Sequence, residues 1–298
     1  MKEKQRVIAL GFFDGVHRGH GALLRRVKEV ADREGYIPAA VTFDHHPKDL
    51  IPGAQKVPLL NTPEDREWLM HREYGVEEVI ILPFDAHMRD MHWRDFVTEV
   101  LVKEYGAAHL VAGHDYHFGK KGEGDPERLK AICAELGLGC DIIGKVELEG
   151  ITVSSTYIRS LIEQGELERA KEFMGHPHIL SGPVVHGKKL GRTIGIPTSN
   201  LIVPERIITP AFGVYATRIW VGEKDYLAVT NVGIRPTVKD DDRVTVEPWI
   251  LDFDGDLYDQ VIRAEFHKRL RPEEKFASLD ELRSAILRNA DETREYFA

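Results

Sequence analysis

With 298 residues the chain has room for two hydrophobic cores, since domains commonly run to roughly 100–200 residues. Its 42% hydrophobic and 30% charged content is that of a soluble globular protein, and a net charge of −9 disfavours a nucleic-acid-binding surface while leaving room for a local basic pocket. Its two cysteines, Cys133 and Cys140, read as reduced thiols, the apolar run after the N-terminus is too short for a signal peptide, and no segment approaches the roughly 18–20 apolar residues of a membrane span; a cytoplasmic protein without membrane partners is expected.

The first predicted element is a buried strand, Val7-Ile8-Ala9-Leu10, running into the glycine-rich turn Gly11-Phe12-Phe13-Asp14-Gly15-Val16-His17-Arg18-Gly19-His20. A helix follows, because Leu23, Leu24, Val27, Val30 and Ala31 recur at helical spacing and Gly35 stops it. His17 and His20 are three residues apart and share one face at the helix start. Unpaired N–H groups and the positive end of the helix dipole attract anions there. The combination points to phosphate chemistry. Spacing alone also admits half of a metal site, two ordinary partly buried histidines, or a dinucleotide fingerprint. No H-E-x-x-H or C-x-x-C accompanies the pair, however, and G-x-G-x-x-G is not what is written.

Further apolar runs at 39–43, 79–82, 110–112 and 142–146 alternate with helical segments. One helix opens with Thr62 as N-cap, Pro63 at the first helical position and Glu64 and Asp65 in the first turn. Another begins near Pro126, turns Leu129, Ile132 and Cys133 inward and ends at Gly137. Alternation of this kind predicts a mostly parallel sheet whose ligands bind beyond the carboxyl ends of its strands, where His17 and His20 lie. Ser154-Ser155-Thr156 then precedes a helical stretch carrying Arg159. Hydroxyls at a helix start serve as N-caps and as phosphate ligands, and an arginine fork in the first turn suits a phosphate.

After Pro177 the pattern changes. Glycine, proline and β-branched residues crowd short runs at 214–221, 227–229, 244–246 and 250–253, which predicts an antiparallel barrel or sandwich. Ser278 and Glu281 form a capping box for a closing helix with the stripe Leu279, Leu282, Ile286, Ala290, Thr293 and Phe297. The expected domains are 1–177, α/β, and 178–298, all-β with a C-terminal helix. Within the second, Gly187-Lys188-Lys189-Leu190-Gly191-Arg192-Thr193-Ile194-Gly195-Ile196-Pro197-Thr198-Ser199-Asn200 is no P-loop, since G-x-x-x-x-G-K-[ST] is absent. Its glycines and the cations Lys188 and Arg192 suit a nucleotide phosphate, and Thr198 and Asn200 offer hard oxygen ligands suited to Mg²⁺. A glycine-rich turn with solvated lysines is the plainer alternative.

Taken together, the strand followed by G-x-F-D-x-x-H-x-G-H and the later S-S-T-x-I-R resemble the H-x-G-H nucleotidyltransferase superfamily. The chain as a whole resembles the bacterial bifunctional riboflavin kinase/FMN adenylyltransferases (FAD synthetases). Val41-Thr42-Phe43-Asp44-His45-His46-Pro47 is similar to that family's V-T-F-x-P-H-P segment beside the flavin, and Ala112-Gly113-His114-Asp115-Tyr116-His117-Phe118-Gly119 to its V-G-x-(D/N)-(F/Y)-x-F-G segment. The 187–200 run resembles the family's G-x-x-x-G-R-x-x-G-x-P-T-A-N motif, and Val246-Glu247-Pro248-Trp249-Ile250-Leu251-Asp252-Phe253 resembles its V-E-(T/S)-H-(L/I)-L-D-F segment. Departures are Phe12 for Asn, His45 for Pro, Ser199 for Ala and Pro248-Trp249 for the hydroxyl–His pair.

The resemblance implies a Rossmann-like parallel-sheet domain followed by a six-stranded antiparallel barrel. It implies FMN adenylylation in the first and riboflavin phosphorylation in the second, with ATP as co-substrate, Mg²⁺ as cofactor, and riboflavin, FMN and FAD as substrates and products. The residues expected to carry catalysis are His17, His20, Arg159 and Glu247. Nucleotide and phosphate contacts fall to Gly11, Phe13, Asp14, Gly19, Asp115, Ser154, Ser155, Thr156, Gly187, Lys188, Arg192 and Pro197. Flavin contacts fall to Phe43, His46, Pro47, Phe118 and Arg271, and metal ligation to Thr198 and Asn200. Two other readings stand beside it: an adenylyltransferase with a non-catalytic flavin-binding barrel, kept open by Pro248-Trp249, and a flavin-responsive regulatory binding protein.

Overall fold

The computed structural model describes residues 5–51, 53, 55–185, 195–234 and 244–298. Two compact units emerge, one of Met1–Val57 with Pro63–Ser154, the other of Pro58–Thr62 with Ser155–Ala298.

The first unit is built on five parallel strands, β1 (Arg6–Leu10), β2 (Ile37–Phe43), β3 (Glu78–Leu82), β4 (Ala107–Gly113) and β5 (Gly139–Ile143), in the order β3-β2-β1-β4-β5. Strand β1 is central and covered on both faces, which is why Val7 to Leu10 is an uninterrupted apolar run. Helix α1 (Arg18–Glu34) buries Leu23, Leu24, Val27, Val30 and Ala31 and stops where Gly35 turns left-handed. Each of the leucines and valines contributes about 1.5–3 kcal/mol on burial. Helix α2 (Pro63–Tyr74) starts at its proline with Glu64 and Asp65 in the first turn. Helix α3 (Pro126–Leu136) is capped by Asp125, whose carboxylate accepts the Arg128 N–H at 2.8 Å.

Strand β5 lies three residues earlier than the apolar run at 142–146 suggests. Gly137 ends α3 in a left-handed turn, and the Leu138 N–H donates back to the Cys133 carbonyl at 2.8 Å, so the chain enters the strand at once. In order 3-2-1-4-5 the strand sequence reverses between β1 and β4, and the crevice beyond their carboxyl ends is where such sheets bind ligands.

The second unit holds a closed barrel in which β8 (His178–Val185), β9 (Asn200–Leu201), β10 (Gly213–Val221), β11 (Lys224–Ile234), β12 (Val244–Ile250) and β13 (Val261–Arg271) run in the order β10-β11-β12-β9-β8-β13. The short hairpin β6 (Glu147–Leu148) and β7 (Ile151–Thr152) precedes it in the chain, in the first unit. Helices α4 (Ser155–Gln164) and α5 (Leu167–Met174) cluster with the barrel, α5 against β13.

The run at 244–246 extends through Pro248 to Ile250 as one strand, β12, whereas Leu251, Asp252 and Phe253 of the expected run at 250–253 fall in the turn after it. Proline is tolerated because its missing N–H faces β9, a two-residue strand that among the described residues is in register with β12 at Val246 and Leu201, while the Pro248 carbonyl still accepts the Ser199 N–H at 2.9 Å. The closing helix α6 (Leu279–Phe297) is capped as expected, Ser278 accepting the Glu281 N–H at 3.2 Å. Its buried face differs from the expected stripe. Ala285, Asn289, Ala290 and Thr293 are buried, Leu282 and Ile286 line a cavity, and Leu279, in the first turn, is 52% exposed. Among the described residues no helix is long and apolar enough to cross a membrane, and Cys133 and Cys140 are free thiols.

Candidate active sites

In the first unit the chain leaves β1 through a strained turn. Phe13 and Val16 adopt φ of 58° and 39°, which a β-branched valine rarely does, and both are buried. Beyond the turn His17 caps α1, its Nδ1 accepting the His20 N–H at 3.3 Å. A nitrogen that accepts carries no proton, so the His17 proton sits on Nε2.

The two imidazoles stack with centroids 3.7 Å apart and 9° between planes, and Phe13 meets His20 edge-on at 5.2 Å. Although the residue is only half-buried, His20 Nδ1 is sealed from solvent without a protein partner. Burial, then the neighbouring His17 and Arg66, pushes the His20 pKa well below the usual imidazole value. Gly19 is demanded by this geometry: a Cβ there would lie 3.0 Å from His17 Cε1 and 3.1 Å from its Nδ1. Gly11 lies under the Phe13 ring, and Asp14 is buried.

Next to the turn is a cavity of about 730 Å³ walled by Phe12, Phe43, Pro47, Phe84, Phe96, Tyr116 and Phe118. Its aromatic walls and size suit a large planar ring. Three of the expected flavin residues, Phe43, Pro47 and Phe118, line it. The fourth in this unit, His46, packs edge-on against Phe12 at 4.8 Å and caps the short 3-10 turn at Pro47–Leu50. Gly119, at φ +72°, lets the chain press onto Trp93, whose Cα would stand 2.5 Å from an added Cβ. Asp115 is exposed, in the loop after β4.

Ser155 and Thr156 open α4, where Arg159 donates to Thr156 Oγ1 at 3.2 Å. These three belong to the second unit, and Ser154 is the last residue of the first.

In the barrel, Glu247 lies on β12 opposite Asn231 of β11. Both line a cavity of about 310 Å³ together with Thr198, Trp249, Arg271 and Phe276. Arg271 donates from Nε to Asn289 Oδ1 at 3.0 Å and lies over the Phe276 ring at 5.3 Å, so it is held by packing and hydrogen bonding. A second cavity of about 270 Å³ contains Pro197, Thr198, Ser199, Phe253 and Tyr258. Thr198 lines both, so it stands where the contents of the two would meet. Asn200 follows on β9, paired with Val185. Gly187, Lys188 and Arg192 lie outside the described residues.

Sequence reading missed Arg66, which is fully buried on α2 behind Phe12 and Phe43. Its signal was present: position 66 falls three and four residues before the buried Leu69 and Met70, and a charge on the apolar face of a helix calls for a buried partner. Also missed were Glu273 and Glu274 on the barrel cavity.

Two family models match in the order of the units: FAD synthetase over residues 1–157 and riboflavin kinase over 174–297. A bifunctional riboflavin kinase/FMN adenylyltransferase of Listeria monocytogenes is 36% identical over 293 residues, covering 98% of this chain and 93% of the relative. Its counterpart in Escherichia coli K12 is 36% identical over 292 residues, covering 98% and 92%. A solved structure from Streptococcus pneumoniae, described as a macrolide-efflux protein, superposes with a TM-score of 0.82 at 32% identity and covers 99% of this chain and 95% of its own. Two domains in the matching order, and identity sustained across nearly the whole length, make the chain a member of the bifunctional riboflavin kinase/FMN adenylyltransferase family, a transferase that forms FMN from riboflavin and FAD from FMN.

Proposed function

We propose that the stacked His17–His20 pair carries adenylyl transfer and that Glu247 with Thr198 and Asn200 carries riboflavin phosphorylation. For the first, the supporting observation is the position of the imidazoles at the end of the central strand, next to an aromatic cavity of about 730 Å³. The isoalloxazine ring of FMN lies among Phe43, Pro47 and Phe118, with His46 steadying Phe12. An FMN phosphate oxygen attacks the α-phosphorus of ATP and pyrophosphate leaves. The nucleophile is already an anion, so no strong base is needed, and the rate rests on alignment and charge neutralisation. His17, with its proton on Nε2, donates to a phosphate oxygen, and His20 supports the same charge from the first turn of α1. Gly11, Phe13, Asp14 and Gly19 shape the nucleotide's bed, and Asp115 contacts the nucleotide. Ser154, Ser155, Thr156 and Arg159 take the β- and γ-phosphates of the leaving group.

For the second activity, the supporting observation is Thr198 at the junction of two cavities, one containing Glu247. Riboflavin occupies the cavity with Arg271 and Trp249, and ATP the one with Pro197 and Tyr258. Gly187, Lys188 and Arg192 are read from the sequence as contacts of its phosphates. Glu247 takes the proton of the riboflavin 5′-hydroxyl as that oxygen attacks the γ-phosphorus, the bond to the β,γ-bridging oxygen breaks and ADP leaves; an alcohol is a poor nucleophile and a positioned base is apt. The Thr198 hydroxyl and Asn200 amide oxygen are hard donors of the kind Mg²⁺ accepts alongside phosphate oxygens and water, so the residues fit that ion. Held by Thr198 and Asn200, Mg²⁺ would supply neutralisation of phosphate charge. The protein is read as a cytoplasmic enzyme whose partners are riboflavin, FMN and ATP.

Product analysis by chromatography tests both assignments. Riboflavin with ATP and Mg²⁺ should give transient FMN and then FAD, and FMN with ATP should give FAD directly. FAD from FMN alone would remove the kinase role from Glu247.

A further inference from the structure

Arg66 has no exposed surface. Its Nη1 donates to the Phe12 carbonyl at 2.5 Å and to Thr42 Oγ1 at 2.6 Å, and its Nη2 donates to the Phe43 carbonyl at 2.7 Å. Thr42 Oγ1 donates onward to the same Phe12 carbonyl at 2.9 Å, and the guanidinium carbon lies 4.3 Å from the centroid of the Phe12 ring. One planar fork therefore grips the backbone at the carboxyl ends of both β1 and β2.

What it grips matters. The Phe12 carbonyl belongs to the peptide just before Phe13, the first left-handed residue of the turn that aims His17 and His20. Such conformations persist only where the surroundings over-determine them, and the fixed Phe12 carbonyl supplies that constraint from the strand side. Phe12 and Phe43 are also two walls of the aromatic cavity. Burying a guanidinium is costly, and a helix packed on a parallel sheet is more simply served by an apolar residue at this position. Asp14, Glu64 and Asp44 offset part of the cost; burial still brings the Arg66 pKa down to about 10, which leaves it charged at neutral pH.

We propose that Arg66 is a positioning residue for adenylyl transfer, cross-tying β1 to β2 so that the histidine turn and the aromatic wall of the flavin cavity keep one register. It touches neither substrate. It acts by holding the reacting groups in line, where small displacements cost large factors in rate. Its charge has a second consequence: Arg66 and His17 are the charged or titratable groups that hold His20 neutral beyond the effect of burial. The proposal rests on the assignment of the His17–His20 turn to FAD formation.

Full-length Arg66→Lys, Arg66→Met and His20→Ala proteins test it. FAD formation from FMN and ATP is measured as kcat and KM across the imidazole titration range. FMN formation from riboflavin by the same samples reports on the other unit. Lysine keeps the charge and loses the fork; methionine loses both. The expected result is a kcat lower by about 10- to 100-fold in both variants. The acid limb of the profile should move to higher pH in Arg66→Met and stay in place in Arg66→Lys. Two results overturn the proposal: wild-type kcat in Arg66→Lys while His20→Ala is inactive, or a kcat loss with the same acid limb in both variants, the mark of a merely structural residue. Should His20→Ala keep its activity, the reading of the histidine turn falls first and the proposal with it.

Discussion

The rings of His17 and His20 lie face to face, 3.7 Å between centroids and 9° from parallel, with His17 Nδ1 holding the His20 N–H. Two imidazolium ions that close would repel, and His20 is the one whose charged form is disfavoured. Burial dominates its depressed pKa, with His17 and Arg66 adding to it. A depressed His20 favours the uncharged ring at the helix start, which suits the proposed role of donating to phosphate without spending a proton.

The first prediction concerns titration. Proton NMR of the His20 ring should show it titrating below 6.5, the ordinary imidazole value. In His17→Asn, which keeps a capping side chain, removal of the neighbouring ring should raise the His20 midpoint. A His20 midpoint at or above 6.5 in the unmodified protein would contradict the stacked, sealed geometry.

Gly19→Ala separates geometry from helix stability. Alanine favours a helix over glycine by up to about 1 kcal/mol, so the thermal midpoint should hold or rise. Yet its Cβ would stand 3.0 Å from His17 Cε1 and displace the ring from its cap. FAD formation should fall by about tenfold or more while FMN formation is unchanged. Full activity in this variant would show that the His17 ring has slack.

His178 in β8 predicts a pH dependence of stability. It is 1% exposed, its Nε2 lies 3.1 Å from the Ile208 carbonyl, and burial brings its pKa down to about 4. A depressed histidine binds its proton more readily unfolded, so its contribution is fully present above about 6.5 and lost as pH falls toward 4. The shift corresponds to about 3 kcal/mol at most. Denaturant melts of the protein should weaken across that window, ahead of the losses from Asp44 and Asp141, whose carboxyls sit below the usual range. In His178→Gln, this part of the pH dependence should disappear.

Much of both sites was legible because their chemistry is local in sequence. His17, Gly19 and His20 occupy one turn, and the strand before them is apolar enough to declare itself. The aromatic cavity was only partly legible: Phe43, Pro47 and Phe118 sit in motifs, but Phe84 and Phe96 arrive from segments whose spacing carries no chemical mark. Arg66 was hidden for a related reason, since its partners at 12, 42 and 43 are set by the strand order and not by its neighbours in the chain. In the barrel, β8 and β13 were not anticipated as strands. The polar His178, Ser181, Glu265 and His267 they bury interrupt the alternation that marks a strand.

The two activities should come apart by substitution, because the residues proposed for each are distinct. Glu247→Gln keeps the shape of the β12 side chain and removes only the base; FMN formation should drop by about 10²- to 10⁴-fold while supplied FMN is still converted to FAD. Asn200→Ala should act in the same direction through loss of a hard oxygen donor. His20→Ala and Arg159→Ala should do the reverse, so that riboflavin is converted to FMN and FMN accumulates. Trp249 supplies an internal readout, since it lines the cavity with Glu247 and a bound flavin should quench its fluorescence. If Glu247→Gln binds riboflavin with undiminished quenching but makes no FMN, the carboxylate acts on the proton and not on affinity. Equal loss of both activities in either pair of variants would collapse the assignment of separate sites.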